Sequence, residues 1–281
     1  MTKSDFINDL NVKEFINYLA DHWETGNIFK AGSLQYFGIK DAFNKYSWEF
    51  ILYDEYNLLI RKGNSFEENR EVLEELKYKI RKAFLEENEM ELFVAVKNIL
   101  SWGKLLGSEK KGNLKYLMEI NSEGYKSILE FLTIVKKHWN RLNNDEIEIE
   151  SKIKFRSNSG FTKVFSLLLD DYSIYDSRVG AAFTYFLCKK FISDIPPSLI
   201  FDLPNGREKK SKYVLNANPA IFKSTRQKNH KHFPPNVKSS WLINETVKLI
   251  NENPISKKID SRQFEAALFM IGADVSEGRM N

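Results

Sequence analysis

The sequence predicts a mainly α-helical fold with long loops, on three observations. Apolar residues recur at steps of three and four through most of the chain, the period of a helix with one buried face. Capping residues open some of these stretches. Prolines and glycines crowd the last third, between periodic stretches, and mark loops there.

The elements follow in order. Phe6, Leu10, Phe15, Ile16 and Leu19 predict a first helical segment with a single apolar stripe. Gly32 to Tyr56 is aromatic-rich and less regular, a place for short strands or turns. Ser65-Phe66-Glu67-Glu68 is a capping box, in which the hydroxyl accepts from the third amide and the glutamate reaches back. Leu73, Leu76, Ile80 and Phe84 then give that helix its core face. Further helices are expected from Glu89 to Trp102, stopped at Gly103, and from Glu123 to Trp139, the latter burying Tyr125, Ile128, Leu132, Val135 and Trp139. Pro196-Pro197, Pro204-Asn205-Gly206, Pro219 and Pro234-Pro235 read as helix stops. Two helices finish the chain, Lys238 to Asn251 and Asp260 to Ile271. In the second, Asp260 and Gln263 form a cap, Phe264, Ala267, Leu268 and Ile271 the buried stripe, and Gly272 the end.

A chain of 281 residues can bury a full core, and 42% hydrophobic with 14% aromatic residues excludes a disordered protein. The run Ala181 to Cys188, interrupted by Thr184, falls far short of the ~20 residues of a membrane span. The opening Met1-Thr2-Lys3-Ser4-Asp5 has no secretory character, so a cytoplasmic location without membrane contact is expected. A lone cysteine, Cys188, excludes an internal disulfide and reads as a buried thiol. His230 and His232 are the only close histidines and lack acidic or cysteine neighbours, so neither metal nor cofactor is expected.

The net charge of +4 is unevenly spread. From Leu203 to Ser240 nine Lys/Arg, among them Lys209, Lys210, Arg226 and Lys228, stand against the single acid Glu208. Asn143 to Glu150 carries four acids and no base. The basic stretch suits contact with a phosphate backbone, and equally a solvated loop of basic bias.

Phe155 to Lys190 reads as helix, turn, helix. Arg156-Ser157-Asn158-Ser159-Gly160 is a turn, Phe161 to Leu169 a short apolar helix, and Asp170-Asp171-Tyr172 its end. Asp176 stands where an N-cap belongs, facing the free amides of a helix that buries Val179, Ala182, Phe183, Phe186 and Leu187. Lys163 is the odd residue among Phe161, Val164, Phe165, Leu167 and Leu168, and a lysine held in an apolar pocket can serve as an amine nucleophile. A short antiparallel connection would bring the two together. The plain alternatives are a snorkelling lysine and a structural cap.

Gly160-Phe161-Thr162-Lys163-Val164 followed by Ile174-Tyr175-Asp176-Ser177-Arg178-Val179 resembles the helix-hairpin-helix DNA glycosylase superfamily, in particular its 8-oxoguanine DNA glycosylase (OGG) branch. The resemblance implies a two-lobed helical OGG-like fold, and with it one unit over 1–281. Within that unit lie an N-terminal lobe to about 85, a helical core of about 86–195 carrying the Lys/Asp segment, and a basic loop with C-terminal helices over about 196–281. It implies Lys163 as the Schiff-base lysine, Asp176 as the catalytic aspartate, and the backbone amides of Ser157, Asn158 and Gly160 as a DNA-phosphate site. Arg178, two residues past the cap, is a candidate for a phosphate or for the Asp176 carboxylate. Tyr172 and Tyr175 are candidates to flank the site, and Phe264, Phe269 and Trp241, by position alone, to stack on a base. Where the family carries Leu-Pro-Gly-Val-Gly, this chain has Arg156-Ser157-Asn158-Ser159-Gly160, and the four cysteines of the iron–sulfur branch are absent.

The implied activity is N-glycosidic cleavage of a modified purine in DNA with lyase activity. Divergent OGG-fold proteins also resemble ones encoded in bacterial anti-phage operons, which implies defence-complex partners. Two other functions fit the same residues: a non-catalytic module binding nucleic acid or a modified base, and an interaction subunit of a defence complex.

Overall fold

Local side-chain caps set most of the helix starts. In the computed structural model, which describes residues 1–24, 28–31, 34–53, 59–149, 155–191, 194–200, 203–204, 224–225, 232–254, 256–273 and 275, the chain is mainly helical. The first periodic segment is two helices, α1 (Lys3–Asn8) and α2 (Leu10–Glu24). Asp9 divides them: its backbone leaves the helical region, and its carboxylate accepts from the amides of Asn11 and Val12. The break turns Leu10 to solvent at 81% exposure, so Val12 takes its expected place in the buried stripe.

The described part of the aromatic-rich stretch holds β2 (Leu34–Phe37), α3 (Ile39–Asn44) and β3 (Phe50–Tyr53); β2 pairs antiparallel with β1 (Ile28–Ala31) before it, and β3 with β4 (Leu59–Gly63) after it. The Ser65–Glu68 capping box opens α4 (Phe66–Leu85), and α5 (Glu89–Trp102) ends at Gly103. After α6 (Asn113–Met118) comes a difference from expectation. The helix expected from Glu123 begins only at Ile128, because Gly124 is left-handed and Ser127 caps the Glu130 amide. Helix α7 runs Ile128–Asn143, α8 Phe161–Leu168 and α9 Ser177–Phe191. A short parallel pair, β5 (Leu203–Pro204) with β6 (Ser224–Thr225), precedes α10 (Phe233–Glu252) and α11 (Ser261–Ile271). Pro234-Pro235 opens α10 instead of stopping it, since first-turn amides have no helical partner to lose.

Helices α2 and α3 pack on α10 and α11, while α4 packs on α5 and α8. The N-terminal and C-terminal thirds thus share one core, and α8 and α9 enter it from the middle of the chain. No helix among the described residues is long and apolar enough to cross a membrane. Cys188 is half-buried, and burial pushes its thiol pKa up.

Candidate active site

The turn before α8 is built by Asn158. Its Oδ1 accepts from the amides of Gly160 (2.9 Å) and Phe161 (3.0 Å), and its Nδ2 donates to Asn113 Oδ1. The Gly160 amide is therefore taken within the protein, not turned out toward a phosphate as the family resemblance implied. Ser157 is buried, its Oγ 3.3 Å from His232 Nδ1.

At the other end of α8, Arg81 of α4 donates to the carbonyls of Leu167 and Leu169 and to Asp170, closing the helix. The strap from Asp171, itself left-handed, to Asp176 is then held by residues of neighbouring helices. Asn244 donates to the Asp171 carbonyl, Ser240 Oγ accepts from the Ser173 amide, and Asn236 donates to the Ser173 carbonyl. Glu265 Oε2 accepts from the Ile174 amide at 2.6 Å, and Thr162 Oγ1 donates to the Tyr175 carbonyl. Buried backbone groups need partners, and here three helices supply them. The strap returns to the start of α8 as a result.

That return sets Lys163 beside Asp176. Nζ donates to Asp176 Oδ2 at 3.4 Å and to the Ser159 carbonyl at 3.2 Å. The two side chains are only 7% and 13% exposed. The other oxygen, Asp176 Oδ1, caps α9 by accepting from the amides of Arg178 (3.0 Å) and Val179 (3.2 Å). One carboxylate thus holds a helix start with one oxygen and a buried amine with the other.

Both groups open on a cavity of about 340 Å3. Its aromatic wall includes Tyr46, Trp48, Trp102 and Phe269, with Trp102 Nε1 bonded to Asn69 and Asn69 to the Trp48 carbonyl. Five cations (Arg70, Lys104, Lys163, Arg178 and Arg262) and two carboxylates (Asp176 and Glu265) line it; Arg70 pairs with Asp260 at 3.0 Å, Lys104 with Glu49 at 3.7 Å, and Lys163 and Arg262 with the two lining carboxylates. Glu265 is paired with Arg262 at 2.7 Å; burial pushes its carboxyl pKa up, while Arg262 and the Ile174 amide oppose the shift. Gly272 lets the end of α11 meet the start of α9, for a Cβ there would fall 1.8 Å from the Arg178 carbonyl oxygen.

Of the residues singled out by sequence, Lys163 and Asp176 meet. Arg178 lies with its guanidinium 4.4 Å from the Phe269 ring centroid and 5.5 Å from that of Trp48, also within the cavity. Lys209, Lys210, Arg226 and Lys228 lie outside the described residues. Phe269 lines the cavity, but Phe264 packs on Trp23 and Trp241 on Phe6, both fully buried. Tyr172 and Tyr175 are core residues rather than flanks of the site, one packed on Trp139 and the other on His232. Sequence reading missed Trp48, Glu265 and Arg262. An acid within the apolar run Phe264 to Leu268 was the available signal for Glu265; Trp48 offered none.

His232 stands behind the strap. Burial pulls its pKa down to about 3, with the Lys163 charge adding to the effect and Asp176 opposing it, so the ring is neutral at ordinary pH. Among the described residues no group of three or more His, Cys, Asp or Glu is placed to hold a metal ion.

Comparison with known proteins finds no matching family model, no matching curated protein and no matching solved structure.

Proposed function

We propose that the chain is an N-glycosylase with lyase activity on a modified purine in DNA, of the OGG type, with Lys163 the amine nucleophile and Asp176 its acid–base partner. The observation that carries this reading is the 3.4 Å approach of Nζ to Oδ2 at the wall of an aromatic-sided cavity. Desolvating two charges is costly, so a nearly buried pair is a poor device for stability alone. Its position on a hollow, not in the packed core, favours chemistry. The cavity's size, about 340 Å3, falls in the roughly 300–1,000 Å3 range of small-ligand sites.

The reaction runs on these groups. A purine nucleotide leaves its stack, at a cost of a few kcal/mol, and its base lies against the aromatic wall. Lys163 gives a proton to Asp176, the carboxylate within reach. The amine nitrogen bonds to C1′ as the C1′–N9 bond breaks with its electron pair on the base, and the proton on Asp176 passes to that base. The carboxylate, anionic again, stabilises the positive charge now carried by the secondary ammonium that joins Lys163 to C1′. A second amine proton moves to O4′ as C1′–O4′ breaks, leaving a protonated imine between Lys163 and C1′. Asp176 takes a C2′ proton as the C3′–O bond breaks with its electron pair on the departing phosphate, which completes β-elimination, and water hydrolyses the imine to free Lys163.

Borohydride reduction in the presence of duplexes carrying 8-oxoguanine or an abasic site tests this. Wild type is expected to form a covalent adduct that Lys163→Gln does not form. An adduct that persists in Lys163→Gln refutes the nucleophile. Salt-sensitive binding without any adduct, unchanged in Asp176→Asn, would identify a non-catalytic binding module instead.

A further inference from the structure

Gly103 does more than end α5. It closes that helix with φ −72° and ψ 1°, a conformation alanine adopts without strain. What alanine would lack is room. A Cβ at position 103 would come within 2.6 Å of Lys163 Cδ and 3.0 Å of Cε, whereas the nearest backbone atom, the Ile99 carbonyl oxygen, lies at 3.6 Å. The aliphatic stem of Lys163 therefore occupies the space that the absent side chain leaves at the end of α5, and the glycine itself lines the cavity beside it.

A lysine stem is long and rotatable, and ordering it costs up to about 2 kcal/mol of rotamer entropy. The Ser159 carbonyl and Asp176 Oδ2 hold the amine at its tip. The first, at 3.2 Å, is at the long limit of the usual N–H···O range and the second, at 3.4 Å, beyond it, so both depend on where the stem delivers the nitrogen. We propose that Gly103 is a positioning residue, its missing Cβ being the passage through which Lys163 reaches Asp176. This deepens the lyase reading and rests on it, because placement of the amine matters to rate only where the amine reacts.

The contact has a useful asymmetry. An added methyl would meet the far half of a flexible side chain rather than backbone, so the fold can yield by moving the lysine. A reacting group misplaced by ~1 Å can cost ~10²-fold in rate.

Gly103→Ala tests the proposal with two readouts. Crystal structures of wild type and variant locate Nζ without any reaction. The expected result is an amine withdrawn beyond hydrogen-bond distance of Asp176 Oδ2, with α5 and α8 unmoved; an amine still bonded to both Asp176 and Ser159 overturns the proposal. Borohydride trapping on abasic DNA then measures the consequence. The rate at saturating protein should fall about tenfold or more while the half-saturating concentration is unchanged. An unchanged rate, or a loss confined to binding, overturns it. If wild type forms no adduct, the lyase reading is what fails, and the crystallographic position of Nζ alone decides whether Gly103 positions the amine.

Discussion

The guanidinium of Arg178 sits 4.4 Å from the centroid of the Phe269 ring, joining the start of α9 to the end of α11 across the cavity. Trp48 approaches the same guanidinium at 5.5 Å and meets Phe269 edge-on, so one cation is held by two aromatic faces from distant parts of the chain. Such contacts contribute about 0.5–2 kcal/mol according to how far the cation is desolvated.

Arg178→Ala should therefore lower stability by about 1 kcal/mol, read from urea unfolding. If the same side chain also meets a nucleic-acid phosphate, the variant's log–log salt slope of DNA binding falls by about one. A lower stability with an unaltered slope would restrict Arg178 to packing.

Asp176→Asn separates the two oxygens' duties. Asparagine caps as well as aspartate, so the α9 amides keep their acceptor. The Lys163 ammonium loses its counter-charge, however, and the variant is expected to unfold more easily by up to about 3 kcal/mol, the low end for breaking a buried pair, since both groups border an open cavity. Adding Lys163→Gln should restore part of that loss; strict additivity of the two substitutions would mean that no interaction joins them.

Glu265 is the anchor of the strap. Glu265→Ala strips the Ile174 amide of its acceptor and Arg262 of its partner, a loss of roughly 3 kcal/mol by thermal unfolding. Glu265→Gln retains an acceptor for the amide and should cost clearly less. Equal losses would show that charge, and not the amide bond, is what matters.

His232 sets a pH dependence of known sign. Its folded pKa of about 3 lies below the unfolded value near 6.5, so the unfolded chain binds the extra proton between those limits. The ring's contribution is present in full above about pH 6.5 and is lost as pH falls toward 3, at up to about 1.4 kcal/mol per unit. His232→Gln should flatten the stability profile over that window when unfolding is followed from pH 7 to pH 4. An unaltered slope would mean that the ring is hydrated in the folded state.

Sequence by itself determined what neighbours in the chain decide. The Ser65–Glu68 and Asp260–Gln263 boxes cap their helices as read, because a cap needs only residues three apart. Asp176 as the start of α9 is the same kind of local fact. Local reading erred where a single residue overrode the period: Asp9 splits a helix, Gly124 delays one, and Pro234-Pro235 begins one. Tertiary structure alone decided what Lys163 faces. Strap and helix could have diverged but for Glu265, which lies 91 residues beyond the Ile174 amide it holds, and Thr162, whose hydroxyl reaches the Tyr175 carbonyl. Trp48 and Phe269 form one wall although 221 positions separate them (269 less 48), because α3 packs on α11. Periodicity and capping act over a few residues and leave a pattern in the sequence. A cavity is the space between elements, and its shape depends on how every surrounding element packs.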